Sequence, residues 1–230
     1  MTRQAMRPAN PSGRRERQLS LTQQAATEAS SGSRCNTRFH WLALATGPDG
    51  KSNEGKAMGL DISVFRKLVE APEAVRDSDG ELADYDNHRE FYDNPDFPGR
   101  IEGLKPNTVY RIGEHGDGLC AGSYGGYNRW RNELAQMAGY TLTEYDTHYG
   151  KKAEGYDAGA WAAGSGPFFE QIQFSDCEGT IGPVVSAKLA KDYAEFAAKA
   201  ESVGGHFWDK YQEWRAAFEA AADCGAVVFH

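Results

Sequence analysis

From residue 58 onward, apolar side chains recur with the periods of secondary structure. Leu60, Ile62 and Val64 alternate with Asp61 and Ser63, the period of two expected of a strand with one buried face, which predicts a strand over 60–66. Glu70 to Asp96 is acidic and too polar for core except near Phe91 and Tyr92, so it reads as loop with room for one short helix. Pro106-Asn107 supplies a turn before Thr108-Val109-Tyr110-Arg111-Ile112, whose β-branched and aromatic content predicts a strand near 107–112. Leu119 to Ala121 is a candidate short strand. Tyr127, Trp130, Leu134 and Met137 recur at helical spacing ahead of Gly139, predicting a helix near 126–138 that ends on a left-handed glycine. A second helix is predicted near 186–203, with Ser186 as N-cap, a stripe of Leu189, Tyr193, Phe196 and Ala200, and a stop at Gly204-Gly205. A third, near 206–223, carries the most regular stripe, Phe207, Tyr211, Trp214, Phe218 and Ala221, and stops at Gly225. Ala226 to Phe229 is too short for a helix and reads as a buried strand that pairs inside the sheet. The expected architecture is α+β: a small sheet of strands near 60–66, 107–112 and 226–229, packed with about three helices. Thr141 to Pro167 places Tyr145, His148, Tyr149, Tyr156 and Trp161 among glycines and alanines. A loop of that length is functional or hides an element, and the functional reading is preferred.

Before residue 58 the periodicity stops. Residues 1–57 are rich in Arg, Gln, Ser, Thr and Ala and hold one apolar island, Phe39 to Ala45, too little to bury a core. They read as a disordered or non-native leader before a single α+β domain at 58–230. Arg14-Arg15 resembles a twin-arginine signal, but the apolar run is too short for export; Pro8, Pro11 and Gly13 break the helix that a mitochondrial-type presequence needs. Met58 therefore reads as the natural start, with the leader an over-extended reading frame. Met58-Gly59-Leu60-Asp61-Ile62-Ser63 matches the N-myristoylation pattern M-G-x-x-x-S/T, yet the strand alternation accounts for the same residues.

Charge divides unevenly. Residues 1–57 hold nine Arg/Lys against four Asp/Glu, leaving 16 against 29 and a net charge of −13 for residues 58–230. Such a domain repels phosphate backbones, which argues against specific nucleic-acid binding, and no stretch predicts a membrane span. The four cysteines, Cys35, Cys120, Cys177 and Cys224, form no C-x-x-C pair and read as reduced thiols, which suits the cytoplasm. Cys120, in an apolar patch, is expected to be buried and inert.

The strongest local chemical signal is the glycine-rich run Gly122, Ser123, Gly125 and Gly126 leading into a helix, because backbone N–H groups at a helix N-terminus make an anion site. Arg129 is the favoured side-chain contact, since Arg131, about 200° around the helix, points elsewhere. The run matches neither a P-loop nor G-x-G-x-x-G; its structural alternative is a turn that positions Trp130. Asp176 and Glu178 flank Cys177 and are the candidate ligands of a divalent metal, with His115, Asp117 or His230 as further donors brought by folding. Here the calcium-loop series is absent, and the alternative is a turn in which Ser175 or Asp176 caps backbone groups. Cys177 is a poor nucleophile, because adjacent carboxylates raise a thiol pKa. His88, His115, His148, His206 and His230 are isolated along the chain.

Three segments, Met58 to Ile62, Gly122-Ser123-Tyr124-Gly125-Gly126-Tyr127-Asn128-Arg129-Trp130-Arg131 and Phe174-Ser175-Asp176-Cys177-Glu178-Gly179-Thr180-Ile181-Gly182, resemble small phage, prophage and bacterial proteins of uncharacterised activity. The resemblance covers most of 58–230, excludes the leader, and implies an accessory role in the cytoplasm of a bacterial host; it brings no activity or cofactor. Two functions follow as expectations. The favoured one is binding, of a protein partner or a small anionic ligand. The other is a small-molecule hydrolase built on the Gly122 to Gly126 run with Asp176 and Glu178, with or without a divalent metal. A chain beginning at Met58 is expected to melt within error of the full chain; a loss of several degrees in calorimetry would place the leader in the fold.

Overall fold

A computed structural model describes residues 59–147 and 149–230; the leader, Met58 and His148 lie outside the described residues. The elements in chain order begin with β1 (Leu60–Arg66), β2 (Val69–Glu70), β3 (His88–Glu90), β4 (Val109–Arg111), β5 (Glu114–His115), β6 (Leu119–Gly122), α1 (Tyr124–Ala138) and β7 (Thr143–Asp146). They continue with β8 (Lys152–Gly155), α2 (Tyr156–Ala163), α3 (Phe169–Ile172), β9 (Gly179–Ile181), α4 (Pro183–Glu195), α5 (Ala197–Val203), α6 (Gly205–Ala221) and β10 (Ala226–Phe229). The architecture is α+β, as the periodicities predict.

The alternation in β1 is realised against β10, its antiparallel neighbour, with Ile62 opposite Phe229 and Val64 opposite Val227. Beyond β10 lies β9, with Ile181 opposite Val227, while β5 and β6 share the other edge of β1. One face of this sheet therefore presents Leu60, Ile62, Val64, Ile181, Val227 and Phe229, all at most 3% exposed, to the aromatic stripes of α1, α4 and α6. Trp214 of α6 sits at the centre, with ring centroids 5.5 Å from Tyr127, 5.8 Å from Trp130 and 5.7 Å from Phe229. The opposite face carries Asp61, Ser63 and Phe65; Phe65 and Ala226 pack into a second, smaller cluster with Leu68, Phe91, Ile101, Tyr110 and Ile112.

Several expectations need correction. The strand expected near 107–112 is β4, and it pairs with β2 and β3 in a separate three-stranded sheet rather than with β1 and β10. The cause is a break in one ribbon: Arg66 faces Glu114 and Val69 faces Arg111, a single register, but Lys67 between them adopts φ 53. The N–H groups of Lys67 and Leu68 turn instead to the carbonyls of Asp223 and Cys224, at 2.9 and 2.8 Å. Gly225 completes this junction, where a Cβ would stand 2.0 Å from the Phe65 carbonyl oxygen.

Ser186 is not an N-cap. The helix starts earlier, at Pro183 after Gly182, the position where proline's missing N–H does no harm, and Ser186 is buried inside it. The expected helix over 186–203 is two helices, α4 and α5, separated at Phe196 (φ −93, ψ 3), which packs edge-on against Phe168 at 5.4 Å. No helix forms in Glu70 to Asp96. Thr141 to Pro167 is not a loop but holds β7, β8 and α2. Its signal was weak because the buried contacts of α2 are Gly159 and Ala160: a Cβ on Gly159 would lie 2.0 Å from the Thr141 carbonyl oxygen. The segment from Asp146 to Lys152, described by itself, is a turn in which Lys152 pairs with Asp146 at 3.0 Å and the Thr147 hydroxyl meets the Lys151 carbonyl at 2.9 Å. Among the described residues no helix is long and apolar enough to cross a membrane.

Trp214 is 1% exposed, so Trp214→Ala is expected to cost about 3–5 kcal/mol in denaturant unfolding. A loss below about 1 kcal/mol would contradict a core role for the stripe.

Candidate functional site

The expected glycine run is part of a capped helix. Gly122 ends β6 with φ 87, Ser123 is the N-cap whose hydroxyl accepts the Gly126 N–H at 3.1 Å, and Gly125 and Gly126 lie within the first turn of α1. Arg129 is exposed on that helix. Arg131 is buried; its guanidinium donates to the carbonyls of Ile172, at 3.3 Å, and Phe174, and to the Asn128 side-chain oxygen. Asn128 in turn donates to Asp176 at 2.7 Å, so the fold does bring Asp176 to α1. Ser175 caps the turn that follows, its hydroxyl accepting the N–H groups of Cys177 and Glu178 at 3.1 and 3.0 Å. Glu178 is exposed, and its carbonyl accepts from Asn94 at 3.0 Å. Among the described residues no three His, Cys, Asp or Glu side chains converge as metal ligands. Cys120 is exposed rather than buried, because its side chain follows Asp61 on the outer face of the sheet.

That outer face holds a constellation the sequence reading missed. A cleft of about 140 Å³ is lined by Ser63, Val64, Phe65, Arg89, His115, Gly116 and Gly118. The two glycines let the β5–β6 connection lie directly on β1: a Cβ on Gly116 would meet Val64 at 2.8 Å, and one on Gly118 would meet the Ile62 carbonyl at 2.7 Å. His115 stands edge-on to Phe65 at 5.6 Å. Its Nε2 lies 3.1 Å from the Asp86 carbonyl oxygen, which can only accept, so Nε2 carries the hydrogen of that bond.

Arg89, on β3, is clamped between aromatic rings, 3.6 Å above the centroid of Tyr85 and 5.4 Å from that of Phe65. Its Nε is buried without a hydrogen-bond partner among the described residues. Burial lowers its pKa from the ordinary value, but a guanidinium stays charged in proteins. Across the face, His230 Nε2 lies 2.9 Å from the Ser63 hydroxyl oxygen. Partial burial of the ring and then the positive charge of Arg89 lower the His230 pKa, while Asp61 acts in the opposite direction.

The missed signal is a matter of register. Asp61, Ser63 and Phe65 share a face by alternation, but only the pairing of Ile62 with Phe229 brings His230 beside Asp61 and Ser63.

No family model matches the chain, and no curated protein or solved structure is significantly similar to it.

His230 is expected to titrate below its ordinary 6.5 when its ring protons are followed by NMR. Arg89→Gln should raise the midpoint and Asp61→Asn lower it. Because the folded value is the lower one, this histidine's contribution to stability is complete above 6.5 and is lost as the pH falls from there through the folded value. A midpoint at or above 6.5 would contradict the burial and the proximity of Arg89.

Proposed function

We propose that this chain acts by binding, as an accessory protein of the phage and prophage kind in the cytoplasm of a bacterial host, and that its ligand is a small anion seated at Arg89. The observation that carries this reading is the Arg89 guanidinium, fixed between two rings, half-buried and without a carboxylate partner among the described residues. Removing a charge from water is unfavourable unless another charge compensates it, and the planar fork of a guanidinium matches carboxylate and phosphate oxygens two at a time. Stacking on Tyr85 and Phe65 restrains the side chain before any ligand arrives, which reduces the entropy lost on binding. A net charge of −13 on residues 58–230 disfavours a polyanion and favours a ligand small enough to see chiefly the nearest cation.

The hydrolase with a metal at Asp176 and Glu178 has less support, since Asp176 is already engaged by Asn128. A protein partner draws support from the half-exposed Leu142, Tyr145 and Trp161, and a protein could equally present a carboxylate to Arg89.

Thermal melts of the full chain with inorganic phosphate and with succinate test the proposal. At about 100 times Kd an anion adds about 2.7 kcal/mol of stability, read as a rise in Tm that is expected to vanish in Arg89→Gln and survive in Arg129→Gln. The reverse pattern would move the anion to the Gly122 to Gly126 end of α1. No shift with either anion would leave the protein partner as the better reading.

A further inference from the structure

We infer that the same face is a hydrolytic site, in which Ser63 is the nucleophile and His230 its general base, acting on a short ester whose acyl part carries an anionic group held by Arg89. This rests on the binding reading above and adds a reaction to it.

The argument begins with strand geometry. Side chains of β1 alternate, so Asp61 and Ser63 project on one side. Ile62 faces Phe229, which makes Asp61 and His230 the next pair along, and the His230 N–H donates to the Asp61 carbonyl at 3.1 Å. His230 is thus the direct neighbour of Asp61 and the diagonal neighbour of Ser63, within reach of both. The Ser63 hydroxyl lies 2.9 Å from His230 Nε2, inside the range for a nucleophile and its base. Ser63 also lines the cleft that contains Arg89. One residue is therefore bonded to a base on one side and opens toward a fixed cation on the other.

The charges around the imidazole suit the role. Arg89 and partial burial favour the neutral ring, the form able to take a proton near neutral pH. Asp61, opposite in sign, favours the imidazolium that forms during the reaction, the electrostatic part played by the third member of a catalytic triad. Asp61 acts here through its charge on the ring and touches no substrate.

The reaction balances with water as the co-reactant. The Ser63 oxygen bonds to the ester carbonyl carbon as its proton passes to His230 Nε2. The carbon–oxygen bond to the leaving alcohol then breaks, and the alcohol departs with the proton from Nε2, leaving an acyl ester on Ser63. A water molecule, deprotonated by His230, attacks that ester; Ser63 regains the proton and a carboxylic acid leaves. The cleft, at about 140 Å³, admits a short acyl chain with its terminal charge on Arg89.

The test uses the full chain with mono-p-nitrophenyl succinate, and p-nitrophenyl butyrate as the uncharged comparison. The succinate ester is expected to turn over faster. Ser63→Ala and His230→Gln should each lower kcat by about 100-fold or more, the usual contribution of general acid–base catalysis, with Tm measured to show that both remain folded. Arg89→Gln should raise KM for the succinate ester several-fold more than for the butyrate ester, so that the preference between the two esters is lost. Peptide mass spectrometry of the quenched reaction should find the succinyl group on Ser63. Full turnover by Ser63→Ala, or acylation at another residue, would overturn the assignment. Binding of phosphate at Arg89 without turnover would overturn the hydrolysis and leave the binding reading intact. Turnover that depends on Ser63 but is indifferent to the charge of the ester, with no phosphate binding, would overturn the role of Arg89 and with it the binding reading.

Discussion

The pairing of β1 with β10 is the constraint on which the rest of the structure depends. It joins Ile62 to Phe229 and Val64 to Val227, residues at opposite ends of the described chain, so forming this pair closes a loop over almost all of it. Closing so long a loop is entropically costly, although the cost grows only slowly with length, and contacts of this separation tend to slow folding. The compensation is local and large: the helix-facing side of the same pair lies beneath Tyr127, Trp130, Trp214 and Phe218, all at most 7% exposed. A one-residue slip would turn Leu60, Ile62 and Val64 outward and send Asp61 and Ser63 into that aromatic layer, so the core fixes the register. The register in turn sets which residues meet on the outer face.

The core is not purely apolar. Gln171 is fully buried and accepts from the Tyr193 hydroxyl at 2.7 Å, while the Tyr211 hydroxyl donates to the Tyr193 carbonyl at 2.6 Å. Burial pushes the Tyr193 pKa well above the ordinary value, so these phenols stay protonated and serve as donors. Such a chain links α3, α4 and α6 with directional bonds that an apolar core lacks. Arg131 does the same between α1 and the end of α3 with the chain just after it, donating to the carbonyls of Ile172 and Phe174. The residue set aside in the sequence as pointing away from an anion is thus a tie within the fold.

What was legible in the sequence and what was not follow one physical division. Periodic burial identified β1, α1 and α6, and a short unbroken apolar run identified β10, because each covers one continuous core with apolar side chains. α2 was illegible because the residues it buries are Gly159 and Ala160, and a helix that packs through such small residues leaves no apolar stripe. The start of α4 was misplaced because Ser186 offered a capping side chain, whereas Gly182 lies so close to the Ile101 carbonyl, 2.4 Å from where a Cβ would be, that the chain turns there. The site was legible only in pieces. Asp176 reaches α1 through Asn128, a contact no spacing announces, and the Ser63–His230 contact needs a register that pattern alone does not supply.

Among the described residues Arg89 is left without a carboxylate in a domain that has so many, and the strands explain why. Glu90 follows Arg89 directly, so alternation on β3 sends it to the other side, where it meets Arg76. Glu114 precedes His115 in the same way and is drawn to Arg66, at 3.1 Å, and to Lys67. The Lys67 and Arg66 ammonium and guanidinium groups hold the Glu114 pKa below its usual value, which keeps that carboxylate ionised and committed to them. Each acidic neighbour in sequence is therefore claimed by a cation on the opposite side of its strand. The excess of negative charge elsewhere is screened over about 10 Å of salt solution. What remains over Phe65 is a local positive field in an acidic domain, and it arises from the period-two geometry of β3 and β5 rather than from any clustering of basic residues along the chain.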